Sequence, residues 1–485
     1  MSRKFLISLL VILTGSLGLL AQPQLPPDTL WTKTYGTSLC EGGYKVQETT
    51  DGGFIIGGYS QLGNNAPADV YAVKTDQNGN LIWSLTYGGP TEEICYDVEQ
   101  TADGGYVLVG YYATPPPRWE KLLIIRVDAN GDTLWSRRYG GGGSLLHEFN
   151  GKSVIVTSNG DYLIAGRFTI IPSPSTHHIF LMKVSASGDS LWCQNYDGDD
   201  GNDFKETSDG NYVIVGRKSN IGIPYSQIVL LKVDPDGNLL WSYTYGTDHS
   251  DYGEGIDLTP DGGYIITGYT TYGTDVLLIK TDQDGNLIWI KNLGAEDCSE
   301  RGYDVISVSD GYIISGESNT NGPYDVYVVK ADLGGNLLWE GYYGGGWGDY
   351  GYSLCQTVDG GYIIGGATAS FGAGSYDFYL IKLAAEGTGE VNNLNVSPPS
   401  QYSLTVYPNP FNVSATITFS LPVSGQVKLT IYDITGQQVV NLIDDRQSAG
   451  PHSVQFDATN LSSGLYFAFL AAGEFKTTQK LLLVK

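Results

Sequence analysis

The sequence predicts an all-β fold: a seven-bladed β-propeller closed by an N-terminal strand and followed by a small, Ig-like β-sandwich. Three observations predict it. A tryptophan recurs at positions 31, 83, 135, 192, 241, 289 and 339, close to the ~50-residue period of a four-stranded blade. Each interval holds four short segments rich in β-branched and aromatic residues, bounded by Asp-Gly turns, which are strand and hairpin signals. The final copy lacks its fourth segment, while an unattached fourth segment opens the chain at Asp28-Thr29-Leu30-Trp31.

Within a repeat the segments are named a to d. Segment a is exemplified by 96–100 and segment b by Tyr264-Ile265-Ile266-Thr267-Gly268. Segment c is exemplified by 325–330 and segment d by 337–339. The a–b turns read Asp51-Gly52-Gly53, Asp103-Gly104-Gly105, Asp261-Gly262-Gly263 and Asp359-Gly360-Gly361; glycine there supplies the positive φ of a tight hairpin. The c–d turns read Asp236-Gly237-Asn238 or Asp284-Gly285-Asn286. In segment d, Trp241 and Tyr245 are four apart and so share one face of a strand. That face is predicted to be core, buried where blades stack. Inserting the N-terminal d segment beside 378–383 closes the ring at seven blades. A basic residue ends every c segment (Lys74, Arg126, Lys183, Lys232, Lys280, Lys330, Lys382); it is expected to be structural and to pair with the Asp of a nearby a–b turn.

The 485 residues include 65 glycines and 35 tyrosines, with 52 acidic against 27 basic side chains and a net charge of −25. Such a surface repels phosphate backbones and excludes nucleic acid as a partner. It suits solubility after export. Arg3 and Lys4 followed by the apolar run 5–20 read as a signal peptide ending near Ala21-Gln22; a retained anchor is the alternative. No later stretch is long enough to span a bilayer once the signal is removed. Of five cysteines (40, 95, 193, 298, 355), Cys40 and Cys95 are the candidate disulfide pair, and an odd number leaves at least one thiol free. The expected segments are a signal peptide (1–22), propeller (28–383), linker (384–401) and C-terminal module (402–485), and the chain is expected to be a monomer.

The repeat partly resembles kelch propellers, through Ile55-Ile56-Gly57-Gly58 followed by Tyr71 and Trp83. Only the second glycine recurs in all seven copies, and Tyr and Trp are too widely spaced for that family. Turns such as 128–135 also resemble Asp-box hairpins and quinoprotein repeats. The C-terminal module closely resembles the type A sorting domain of the type IX secretion system. The matching segments are YPNPF at 407–411, IYDITGQQV at 431–439, LSSGLYF at 461–467 and QKLLLVK at 479–485, with Tyr407, Pro408, Asn409, Pro410, Phe411, Gly436, Gly464 and Lys480 as the motif residues. The resemblance implies export by the type IX machinery of a Bacteroidota-type cell, removal of the module, and release or attachment to surface lipopolysaccharide.

The b–c and d–a connections vary between blades, and that face is the expected site. The residue after the recurring Gly of segment b is Tyr59, Tyr111, Arg167, Arg217, Tyr269, Glu317 or Ala367. Arg167 and Arg217 with Tyr269 suit a carboxylate-bearing or sugar ligand; salt bridging is the alternative. Asp197, Asp199, Asp200 and Asp203 form an acidic loop that suits Ca²⁺ or is simply solvated. Aromatics in or beside the variable loops, Trp119, Trp347, Tyr350, Tyr352 and Phe371, suit sugar stacking or loop packing. Beyond that Ca²⁺ the sequence indicates no cofactor, and no catalytic constellation is assembled: the five histidines form no HExxH. The expected function is a secreted or surface binding module for a glycan or protein. The alternatives are a polysaccharide-directed hydrolase or lyase using acidic-loop carboxylates, and a structural envelope component.

Overall fold

The computed structural model describes residues 25–386 apart from 62, 64–65, 116–117, 141–145, 172–175, 220–224, 272–274, 295–297 and 321. It also describes 403–485 apart from 408–410, 422–424, 448–449, 460 and 474. The signal peptide expected at 1–22, most of the linker, and Pro408, Asn409 and Pro410 lie outside the described residues. The chain divides into two compact units, Met1–Gly389 and Glu390–Lys485.

The first unit contains seven four-stranded antiparallel sheets. Blade 1 runs a to d through Cys40–Glu48, Phe54–Gln61, Ala68–Thr75 and Leu81–Tyr87. The a strands of blades 2 to 6 are Glu93–Gln100, Leu146–Val156, Asp200–Glu206, Asp251–Leu258 and Glu300–Val308. Blade 7 takes Asp349–Gln356, Tyr362–Thr368 and Asp377–Leu383 from the C-terminal end of the array, and its outer strand is Thr29–Tyr35. That strand pairs antiparallel with the c strand, Trp31 opposite Lys382 and Tyr35 opposite Phe378. The ring is therefore a seven-bladed propeller sealed by its own N-terminal strand.

Turn chemistry fixes each blade. In the first a–b turn the Asp51 carboxylate accepts from the Thr49 hydroxyl and the Gly53 N–H, and Gly52 sits at φ +79°. In the first c–d turn Asp76 accepts from the N–H groups of Asn78 and Asn80; Asp234, Asp282 and Asp332 repeat the arrangement. The glycine that recurs in strand b has a different cause. A Cβ on Gly58, Gly110, Gly166, Gly216, Gly268, Gly316 or Gly366 would land on a main-chain carbonyl of the adjacent a strand.

Apolar b and c strands bury both faces between blades. Val213, Val215, Ile228 and Leu230 of blade 4, for example, pack against Ile256, Tyr264, Ile266 and Leu277 of blade 5. At the outer edge the d-strand tyrosine latches onto the next blade. Tyr35, Tyr87, Tyr139 and Tyr196 donate to the carbonyls of Gly79, Gly131, Gly188 and Gly237 at 2.6–2.8 Å. The tryptophans behave differently from expectation. Only Trp339 is fully buried, at 3% exposure, while the other six are partly exposed. The d strand is outermost, so each of those rings sits at the rim of the interblade core, packed against it from one side and covering the c–d turn glycine of the next blade, as Trp241 covers Gly285.

The basic residue ending each c strand meets an a–b turn carboxylate in all seven blades: Lys74–Asp51, Arg126–Asp103, Lys183–Asp161, Lys232–Asp209, Lys280–Asp261, Lys330–Asp310 and Lys382–Asp359. The cation is the buried partner in most pairs. Asp359→Asn leaves the Lys382 ammonium buried without its counter-charge, and a loss of about 2–3 kcal/mol is expected in urea unfolding. The Cys40–Cys95 disulfide is not formed; both side chains are thiols. Cys95 is buried between blades 1 and 2, its thiol on the Asp97 carbonyl, whereas Cys40 lies near the loop face beside the Tyr59 hydroxyl. Ala384–Glu386, expected to begin the linker, pack on the propeller: the Ala384 N–H donates to the Asp28 carbonyl, and Glu386 accepts from Lys330 and Tyr362.

The second unit is a two-sheet β structure. One sheet orders Ser403–Tyr407, Ser414–Leu421 and Gly450–Asp457; the other orders Gln438–Gln447, Gly425–Asp433, Gly464–Ala472 and Phe475–Leu483. Ile417, Phe419, Val427, Leu429, Phe456, Leu470 and Leu481 fill the space between them. Phe411 is buried, and its main chain bonds to Leu482 and Val484 of the terminal segment. Gly436 takes φ +82° in the turn that Asp433 caps.

Candidate functional site

The a strands surround the propeller axis, and each carries one extra residue. The register slips at Gly43/Lys45, Cys95/Asp97, Gly151/Ser153, Gly201/Asp203, Gly253/Gly255, Gly302/Asp304 and Gly351/Ser353. A bulge redirects the extra side chain, and the seven redirected residues are Tyr44, Tyr96, Lys152, Asn202, Glu254, Tyr303 and Tyr352. Four of them meet across blades. The ring of Tyr44 lies 5.1 Å from Tyr96 and 5.3 Å from Tyr352, and Tyr303 lies 5.1 Å from Tyr352. The strands enter from the d–a loops, so this tier forms the channel mouth on the variable face.

Below the mouth lies a charged tier. Lys45 bridges to Asp304 at 3.3 Å, and Asp203 holds Lys205 at 2.8 Å. Three carboxylates there also join blades through the main chain: Asp97 accepts from the Val154 N–H, Asp203 from Ile256 and Asp304 from Leu354. A cavity of about 310 Å³ opens among these residues.

Burial sets the protonation of this channel. It pushes Asp97 up to about 6, Lys45 opposing, and Glu99 up to about 7, with Asp97 adding to the rise. Burial likewise pushes Glu254 up to about 7 and Lys152 down to about 8. Carboxylates raised on folding bind protons more tightly in the native state than in the unfolded chain. Their stabilisation is complete below the ordinary carboxylate range and is lost as pH rises through 6 to 7. Asp51 and Asp359 act oppositely. Hydrogen bonds from Thr49 and Thr357 and from Lys74 and Lys382 outweigh the desolvation that would raise them, holding both near 2, so their contribution disappears in strong acid. The melting temperature is expected to rise between pH 8 and about pH 5 and to fall below about pH 4.

The structure brings several of the expected site residues together. Arg167 and Arg217 both reach Asp200, at 3.5 and 2.7 Å, and Arg167 also meets Glu120 at 3.2 Å. Tyr269 stacks on Tyr252, ring centroids 4.7 Å apart and planes at 11°. Glu317, 3% exposed, faces Arg301 at 3.2 Å. Trp347 does not join them; it is 70% exposed, and its main-chain N–H donates to the Ser370 hydroxyl. The four expected calcium ligands do not converge. Asp197 pairs with Lys218, Asp199 caps the Ser219 N–H, Asp200 holds the arginines, and Asp203 lies in the charged tier. Among the described residues no three His, Cys, Asp or Glu gather around one point.

Sequence reasoning missed the bulge tier as a set, although Tyr352 stands out among the loop aromatics and Glu254 among the acidic d–a residues. The tier's signal was present: a glycine stands immediately before the redirected residue in six blades, at 43, 151, 201, 253, 302 and 351. Period-two alternation hides such a residue, because an inserted position breaks the alternation.

Residues 405–485 match the family model of the secretion system C-terminal sorting domain. No curated protein matches the chain. Among solved structures, PorZ, an essential surface component of the type-IX secretion system of Porphyromonas gingivalis, is 10% identical over 91% of this chain and 59% of its own, with TM-score 0.42. A puromycin hydrolase is 13% identical over 80% of this chain and 59% of its own, with TM-score 0.46. The Dos1 propeller is 10% identical over 74% and 96%, with TM-score 0.42. The chain thus spans 59% of the PorZ and hydrolase lengths. Among the described residues no helix is long and apolar enough to cross a membrane. The C-terminal module is a sorting domain, and it directs this protein through the type IX secretion system to the cell surface or the medium.

Proposed function

We propose that the exported propeller is a binding module that takes a glycan or protein ligand at the mouth of its channel. The observation that supports this reading is the tyrosine tier itself, Tyr44, Tyr96, Tyr303 and Tyr352, gathered within ring-contact distance on the variable face. Tyrosines offer wide apolar faces and a hydroxyl at little entropic cost. The Asp-capped c–d turns support a kelch-like or Asp-box-like ancestry for the blade, which concerns scaffold and not chemistry. The mature propeller and its Tyr44→Ala/Tyr303→Ala variant, compared on glycan and protein arrays, test the reading. The variant is expected to lose about tenfold or more in signal at unchanged fold. Turnover of a polymer with no retained ligand would overturn it.

Glu254 favours a second reading, a polysaccharide-directed enzyme. Burial brings its carboxyl to about 7, where a general acid works. Polymer turnover that survives Glu254→Gln undiminished would remove it.

A further inference from the structure

The mouth is not uniform around the ring, and the difference points to a ligand chemistry. On blades 2 to 6 the protein covers its own tyrosines with cations. Lys152 Nζ stands 3.5 Å from the ring centroid of Tyr96, the Arg301 guanidinium 5.1 Å from Tyr269, and that of Arg217 5.4 Å from Tyr252. On blades 7 and 1 a cavity of about 220 Å³ is lined by Tyr44, Tyr59, Tyr350, Tyr352 and Tyr376, with Gly42 and Ala367 completing the wall. Among the described residues no lysine or arginine lines it.

The five rings form a continuous wall. Tyr350 and Tyr352 lie nearly parallel, 5.9 Å apart with planes at 8°. Tyr44 stands 5.3 Å from Tyr352 and 5.9 Å from Tyr59, and Tyr376 stands 6.1 Å from Tyr350. Glycine at 42 keeps the wall open, because a Cβ there would strike the Tyr59 ring. Burial raises Tyr350 to about 12, so its phenol is neutral and its face keeps the negative quadrupole. The Glu317 carboxylate bears on both Tyr350 and Tyr352, and it is itself paired with Arg301 at 3.2 Å.

We infer that the blade 7–blade 1 half of the mouth is an aromatic cage for a substituted ammonium group. The inference rests on the binding reading given under Proposed function and names the chemistry of what is bound. Tyrosine faces attract cations at close range, the protein already uses its other mouth tyrosines in that way, and the net charge of −25 draws cations toward the surface. The ammonium has two possible sources, a small quaternary amine or the lysine side chain of a protein partner.

Saturation-transfer NMR and calorimetry on the mature propeller test the inference with four probes. These are choline, its neutral isostere 3,3-dimethylbutan-1-ol, a single-lysine peptide and methyl β-glucoside. Choline or the lysine peptide is expected to bind at one site, with transfer from tyrosine ring protons. The neutral isostere is expected to bind at least about fivefold more weakly than choline. Tyr352→Phe keeps the ring face and is expected to retain binding. Tyr352→Leu and, independently, Tyr59→Leu are expected to lose it; two variants guard against one failing to fold. Choline against peptide decides the source. Equal affinity for choline and its isostere overturns the cage. So does binding of the glucoside alone, which leaves the mouth as a binding site. Failure of all four probes overturns the cage as well, and the array comparison with Tyr44→Ala/Tyr303→Ala then decides separately whether the mouth binds anything.

Discussion

A protein lacking residues 25–36 is expected to lose its cooperative melting transition. The deletion strips the outer strand from blade 7 and exposes a cluster that spans the closure: Val46, Phe54, Ile56, Tyr71, Val73, Ile363, Phe378 and Leu380 pack together with Tyr35 and Trp31. It also removes the Tyr35 hydroxyl from the Gly79 carbonyl, a 2.6 Å bond joining blades 7 and 1. A loss above about 5 kcal/mol follows from the two aromatic side chains and the strand ladder together, comparable with the whole stability of a typical domain. Adding the peptide 25–36 in trans is expected to restore the transition, because the acceptor edge of Asp377–Leu383 is otherwise unchanged. Calorimetry with and without the peptide measures both. An unaltered melt of the truncated protein would show that the N-terminal strand does not seal the ring.

Gly268→Ala is expected to cost more than about 3 kcal/mol, despite adding one methyl group. The added Cβ would occupy the position of the Tyr252 carbonyl oxygen. That carbonyl belongs to the a strand one residue before the bulge, so the strand itself must move and carry Glu254 with it. Gly104→Ala is the contrast. Its φ of +84° is strained for alanine, but nothing lies within 4 Å of the new Cβ, and about 1 kcal/mol is expected. Chemical unfolding of the two variants separates close approach from backbone conformation. Similar costs would contradict the explanation given for the recurrence of this glycine in every blade.

Much of this architecture was legible because repeats multiply weak local signals. One Asp-Gly turn says little, but six at a fixed period, with Asn159-Gly160 in the remaining blade, specify blades, and an incomplete copy at each end specifies the closure. The pairing of Lys382 with Asp359 was legible for the same reason: a charge that recurs in every copy serves the scaffold. Trp241 does pack against the interblade core, but its partial exposure was not legible, because even spacing reports a shared face and not which strand of the blade is outermost. The mouth was only half legible. Arg167, Arg217, Tyr269 and Glu317 stand out by varying at a fixed position, and the structure sets them against Asp200, Tyr252 and Arg301. Tyr350 and Tyr352 stand out as aromatics beside a variable loop, whereas Tyr44 and Tyr96 looked like ordinary strand residues, since a bulge depends on where the partner strand slips. The acidic loop at 197–203 misled because spacing along the chain does not report direction: Asp197 and Asp203 point to different partners.

Hydrogen–deuterium exchange of the mature propeller, with and without a ligand retained on the arrays, tests the placement of binding at the channel mouth most directly. Slower exchange is predicted at 42–45, 94–97, 301–304 and 350–353, with the d strands unchanged. Protection confined to the d strands or to the a–b turn face would place recognition elsewhere and contradict the account.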